Sequence, residues 1–195
     1  MCQIHVRDTD LGKSARPGLL AQASEQGRAI QPHPRVHVTI LGSRQQHWPD
    51  EAACAAAAAA LAGHRALRNA YVELHGPLGA GKTTFARHLL RTLGVRGHVK
   101  SPTYALLEPY QIGHGSDRLT VSHFDFYRFD DPQEWEDAGF RDVFASPGLK
   151  LVEWPEKAAQ FLPPPDLRIA IEPRDDASRD VRMDAETPLG AELLS

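Results

Sequence analysis

Apolar positions along the chain fall into short runs with two different periods. "VHVTIL", residues 36–41, alternates and is β-branched, which predicts a strand. Asp50 then offers an N-cap to "EAACAAAAAALA", a helical run stopped by Gly63. "AYVELH", residues 70–75, reads as a short apolar strand. Phe85, Ala86, Leu89, Leu90 and Leu93 recur at helical spacing and stop at Gly94. "TYALLEPYQI", residues 103–112, and "RLTVSHFDF", residues 118–126, predict two strands around a glycine-rich turn. Asp131 and Pro132 suit the cap and first position of a short helix. "LKLVEW", residues 149–154, is another strand, and "FLPPPD" excludes regular structure. "LRIAIE" and "SRDVRMDA" predict a closing hairpin around residues 173–177. Strands alternating with helices predict an α/β domain with a mixed, mostly parallel central sheet flanked by helices.

Residues 1–35 show no period and carry Pro17, Pro32 and Pro34 among mixed charges. They read as a disordered N-terminal extension, dispensable for the domain. The domain itself is expected over residues 36–185, with residues 186–195 as a C-terminal tail.

Composition narrows the classes of function. At 195 residues with 42% hydrophobic and 24% charged, the chain suits one domain with a buried core. A net charge of −3 supplies no global field for nucleic acid. DNA is therefore not an expected partner, and any tRNA contact should be indirect. The two cysteines, Cys2 and Cys54, have neither disulfide nor zinc spacing. The longest apolar run, residues 52–62, is about half of what a membrane span needs. No signal-peptide pattern opens the chain. A cytoplasmic protein without membrane contact is expected.

The sharpest chemical signal is "HGPLGAGKTTF". Gly76, Gly81, Lys82 and Thr83 match G-x-x-x-x-G-K-[ST], with a strand before and an amphipathic helix after. Glycines let backbone N–H groups turn inward around phosphates without side-chain clash. The following helix aims its positive end at them. Gly79, Ala80, Gly81, Lys82, Thr83 and Thr84 are the expected wrapping residues. Lys82 supplies a mobile charge, and the Thr83 hydroxyl can ligate Mg²⁺. A P-loop ATPase also needs a carboxylate near the metal, at the end of an apolar strand. Asp125 ends "LTVSHFD" and Glu153 ends "LKLVE". Parallel α/β sheets bind ligands beyond the carboxyl ends of their strands, where both acids would sit. One can hold the metal while the other polarises the attacking water; the residues leave open which. His123 and Trp154 read as structural.

"GPLGAGKTTFARHLL", "VKSPTYALLEPY", "HFDFYRFDDPQEWEDAGF" and "LVEWPEKA", in that order, resemble the TsaE (YjeE) family of P-loop ATPases over residues 36–185. The resemblance implies ATP and Mg²⁺ as cofactors and slow hydrolysis by the chain alone. It implies action with TsaD and TsaB, which place threonylcarbamoyl on N6 of adenosine 37 of tRNA. The ATPase would reset or regulate that complex. It also implies that Thr83 and Glu153 are metal-site residues and that Asp125 is the Walker-B-like acid. Ser101 and Thr103 would lie on a switch-like segment. Looser alignment brings Glu51 and Arg179 toward the nucleotide. Pro77 departs from the aspartate common after the first loop glycine. A P-loop small-molecule kinase is the alternative, but its Arg-rich lid would have to come from residues 168–182, which read as a hairpin. A GTPase would need an N-K-x-D box, and the chain has none.

Overall fold

The computed structural model describes residues 39–195, so the expectations for residues 1–35 and for the first part of the 36–41 strand lie outside the described residues. Seven strands form one sheet in the order β1-β7-β6-β2-β5-β4-β3. They are β1 (Gly42–Trp48), β2 (Tyr71–His75), β3 (Leu107–Ile112), β4 (Leu119–Asp125), β5 (Leu149–Glu153), β6 (Leu167–Pro173) and β7 (Arg179–Ala185). The three central pairings, β6 with β2, β2 with β5 and β5 with β4, are parallel. Antiparallel strands complete both edges. The expected mixed α/β sheet is therefore present, parallel at its centre.

Helices α1 (Glu51–Ala62), α2 (Lys82–Leu93), α3 (Pro132–Asp137), α4 (Phe140–Ala145) and α5 (Pro188–Leu193) flank it. Asp50 caps α1 by accepting from Ala53 N at 2.9 Å, a contact worth about 1 kcal/mol. Alternation along the strands feeds two cores. Val72, Leu74, Leu149, Leu151, Ile169 and Ile171 point to the face covered by α1 and α2. On the other face, Tyr71, Phe124 and Val152 meet Phe126, Phe129, Trp135 and Phe140. Phe124 and Phe126 are fully buried with ring centroids 5.5 Å apart. Each such side chain contributes about 1.5–3 kcal/mol by burial.

Three expectations need correction. Residues 39–41 are not in a strand, and the first strand among the described residues is Gly42–Trp48. Its sequence "GSRQQHW" is polar because β1 is an edge strand that buries Trp48 and leaves most of its length to solvent. Pairing with β7, not propensity, makes it a strand. The strand expected over 103–112 begins only at Leu107. Residues 103–106 form a turn instead, with Leu106 at φ 60° and its N–H on Pro102 O. Finally, residues 186–195 do not trail off. Thr187 caps α5 through Gly190 N, Pro188 opens it, and Leu193 is buried in the core. Gly190 has to be glycine, because a Cβ there would lie 1.8 Å from Asp166 O. Six residues, under two helical turns, are too few for periodicity to register. Leu194 reaches back to within 3.6 Å of a Cβ built on Gly42, so the start of β1 and the end of α5 adjoin.

Leu193→Ala should lower the unfolding free energy by about 2–5 kcal/mol, as core truncations do. Urea denaturation checks this. An unchanged midpoint would mean that α5 is a detachable tail.

Candidate functional site

Strand β2 runs through the middle of the sheet and delivers the chain to the loop at residues 76–81. Gly76 turns at φ 137°, and a Cβ there would lie 2.3 Å from Ile171 O of β6. Only glycine permits that crossing. Gly79 and Gly81 also hold positive φ, at 80° and 111°. A Cβ at Gly79 would meet nothing within 4 Å. Gly81 is the N-cap of α2 and provides no side-chain cap. The first-turn N–H groups of α2 thus face the loop without a side-chain acceptor, as a phosphate cradle requires.

Lys82 folds back over this loop. Its Nζ donates to Gly76 O at 2.6 Å and Pro77 O at 3.0 Å. It also lies 3.6 Å from the centroid of the Trp154 ring. Burial holds the Lys82 pKa below the ordinary lysine value, against the pull of Glu153, Glu156 and Asp125. Trp154 sits at φ 57°, a left-handed conformation that costs a bulky residue about 1–2 kcal/mol. Its ring therefore faces the site at a conformational cost.

The two acids end neighbouring strands at the same level, since Asp125 pairs with Glu153 in the β4–β5 register. Glu153 is 1% exposed. Its Oε2 accepts from Thr83 Oγ1 at 2.7 Å, and its Oε1 is hydrogen-bonded to His123 Nε2 at 2.9 Å. Asp125 is equally engaged. Oδ1 accepts from Tyr127 N at 2.9 Å, and Oδ2 accepts from Thr103 Oγ1 at 2.8 Å and from Ser101 Oγ. These hydroxyls draw residues 101–106 down onto the strand end, which is why β3 starts late. The donor set of one hydroxyl and two carboxylates fits Mg²⁺, which keeps several waters and takes one or two carboxylates beside substrate phosphates.

Gly79, Ala80, Gly81, Lys82, Thr83 and Thr84 line a cavity of about 250 Å³ together with Asp125, Glu153, Ser101 and Thr103. Leu78, Tyr127 and Trp154 complete the lining. Gly76 shapes the loop from below. Arg179 reaches the loop from β7 and donates through Nε to Ala80 O at 2.8 Å. Glu51 does not join the lining: it pairs with His88 Nε2 at 2.9 Å on an exposed flank. The His123–Glu153 contact and the Lys82–Trp154 contact were not read from the sequence. The signal for the first was a polar residue inside an apolar strand, two places before Asp125. Glu73 was also passed over; buried on β2, it accepts from Tyr71 Oη at 2.6 Å and bonds His75 Nε2 at 2.8 Å. A larger open concavity of about 520 Å³ lies on the bare face of β1, β7 and β6. There His47 already pairs with Asp180 at 3.0 Å and Arg182 with Asp184 at 2.9 Å, so the chemistry belongs to the smaller cavity.

Comparison with known proteins agrees with this geometry. The family model for "Threonylcarbamoyl adenosine biosynthesis protein TsaE" matches residues 48–181. The tRNA threonylcarbamoyladenosine biosynthesis protein TsaE of Haemophilus influenzae is 44% identical over 124 residues, covering 64% of this chain and 75% of that protein. Its namesake from Bacillus subtilis is 37% identical over 114 residues, covering 58% and 68%. The crystal structure of Bacillus subtilis YdiB superposes with a TM-score of 0.60 at 26% identity, covering 78% of this chain and 92% of that one.

Removing the Asp125 carboxylate should untie residues 101–106. In Asp125→Ala, amide hydrogen exchange should speed up at Thr103, Tyr104 and Ala105 while β2 and β5 keep their protection. Unchanged exchange in that segment would show that backbone contacts hold it and the hydroxyl bonds do not.

Proposed function

The chain belongs to the TsaE family, and on that premise we propose that it is a Mg²⁺-dependent ATPase serving threonylcarbamoyladenosine formation in tRNA. In this reading it acts in the cytoplasm with TsaD and TsaB and resets or regulates the transferase. The observation that carries the reading is the 2.7 Å bond from Thr83 Oγ1 to Glu153 Oε2. It brings a P-loop hydroxyl and a buried carboxylate to one point beside the loop lysine.

The residues divide the work as follows. Backbone N–H groups of residues 79–84 wrap the β- and γ-phosphates. Lys82 exchanges Gly76 O and Pro77 O for phosphate oxygens and places its charge where transition-state charge develops. Thr83 and Glu153 support Mg²⁺, which when bound would withdraw charge from the phosphates. Asp125 aids the cation or orients the attacking water once Ser101 and Thr103 yield one of its oxygens. Arg179 braces the loop through Ala80 O. The kinase alternative lacks its lid, because residues 168–182 belong to the β6–β7 hairpin.

Support for a protein partner comes from the rim of the cavity. Leu78 is 74% exposed and Tyr104, next to Thr103, is 85% exposed. Apolar groups at the mouth of a phosphate site suit a partner that senses nucleotide state. Nucleotide would act on the Ser101–Thr103 segment, as γ-phosphate contacts order switch segments elsewhere.

Lys82→Ala should lower ATP hydrolysis by roughly 10²–10³-fold, the usual loss of one transition-state charge partner, with an unchanged melting temperature. Wild-type turnover in that variant would remove the phosphate-loop reading. For the partner, affinity for a TsaD–TsaB pair should be higher with a non-hydrolysable ATP analogue than with ADP or no nucleotide. Calorimetric titration in each state checks this; equal affinity throughout would refute nucleotide control.

A further inference from the structure

His123 stands in β4 between Ser122 and Phe124, two residues from the buried Val121 and two from Asp125. Its side chain is fully buried. Nε2 meets Glu153 Oε1 at 2.9 Å, and Nδ1 is buried with no hydrogen-bond partner among the described residues. A buried acceptor left unpaired is a cost that an apolar side chain of similar size would avoid. Packing alone therefore does not account for an imidazole here. Its one polar bond does.

We propose that His123 is a positioning residue for ATP hydrolysis, which holds Glu153 Oε1 so that Oε2 stays aimed into the phosphate-loop cavity when the Thr83 hydroxyl turns to a cation. This rests on the ATPase reading given above. The two oxygens of Glu153 have unequal fates. Oε2 is held by Thr83, whose hydroxyl is the group required at a P-loop cation. When that hydroxyl leaves, Glu153 loses one of its two restraints. The bond at Oε1 remains and fixes the carboxylate plane. An ionised Glu153 offers only acceptors, so the imidazole donates from Nε2 and keeps Nδ1 bare. The bare Nδ1 is thus a consequence of serving Glu153. Partners that orient metal-site carboxylates act in this manner, and losing one typically costs 10–100-fold in affinity or activity.

The test compares wild type, His123→Leu and His123→Gln in the full chain. The Gln side-chain amide carries an N–H donor at about the reach of Nε2. In His123→Leu, kcat should fall roughly 10–100-fold, and KM for Mg-ATP should rise as the Mg²⁺-dependent part of binding is lost. A fluorescent ATP analogue should bind that variant as it binds wild type without Mg²⁺, but without the gain that Mg²⁺ gives wild type. His123→Gln should recover most of both losses. Nitrogen-15 correlation spectra of the nucleotide-free wild type should show a proton on Nε2, a readout that does not depend on turnover or on either variant folding. The proposal falls if wild type carries its proton on Nδ1. It falls equally if His123→Leu keeps wild-type kcat, or if His123→Gln is as slow as His123→Leu at the wild-type melting temperature. Lys82-dependent hydrolysis that ignores His123→Leu overturns this proposal alone. Hydrolysis that survives Lys82→Ala overturns the ATPase reading itself.

Discussion

The parallel register of β2, β5 and β4 is the constraint on which the rest depends. Leu74 lies opposite Glu153, and Glu153 lies opposite Asp125. Both acids therefore reach the carboxyl edge at the level where β2 becomes the glycine loop. A one-residue slip of β5 would turn Glu153 to the aromatic face and bring Val152 or Trp154 to the loop. The two cores prevent that slip, because Leu149 and Leu151 pack on the helical side while Val152 packs on the aromatic side. Hydrophobic patterning along five residues thus decides where a carboxylate meets Thr83.

Much of this was legible because it is written in local rules. Glycines at 76 and 81, the lysine and threonine after them, and a strand and helix on either side state a phosphate loop without tertiary information. The strand ends at Asp125 and Glu153 were equally readable, since each acid closes an apolar run. What stayed hidden depends on pairing across the chain. Polar β1 is a strand only because β7 offers it a partner. Residues 103–106 look extended by composition but are bent by hydroxyls that seek Asp125. Helix α5 makes fewer than two turns, and only its contacts with β7 and the core mark it as structure. Glu51 was drawn toward the nucleotide by alignment, yet His88, nearly two turns into α2, intercepts it.

The site also carries unusual internal tension. Glu153, Asp125, Lys82, His123 and Glu73 are all buried or nearly so in a domain of modest size. Every carboxylate oxygen of Asp125 and Glu153 is engaged by a group of the same chain. Lys82 is satisfied by the carbonyls of its own loop. Such internal satisfaction stabilises the ligand-free chain and opposes ligand entry, because each bond to phosphate or cation replaces one already made.

The meeting of Gly42 with Leu194 has a practical consequence. Strand β1 runs in the same direction as β2, so its first residue lies at the sheet edge opposite the glycine loop, and α5 ends beside it. A fluorophore, affinity handle or surface tether attached behind α5 would leave from the side remote from the phosphates. The same adjacency would let a short linker join Gly42 to Ser195 once the residues ahead of β1 are removed. A circularly permuted chain could then be opened at an exposed loop such as residues 174–177, with Asp125 and Glu153 left in register.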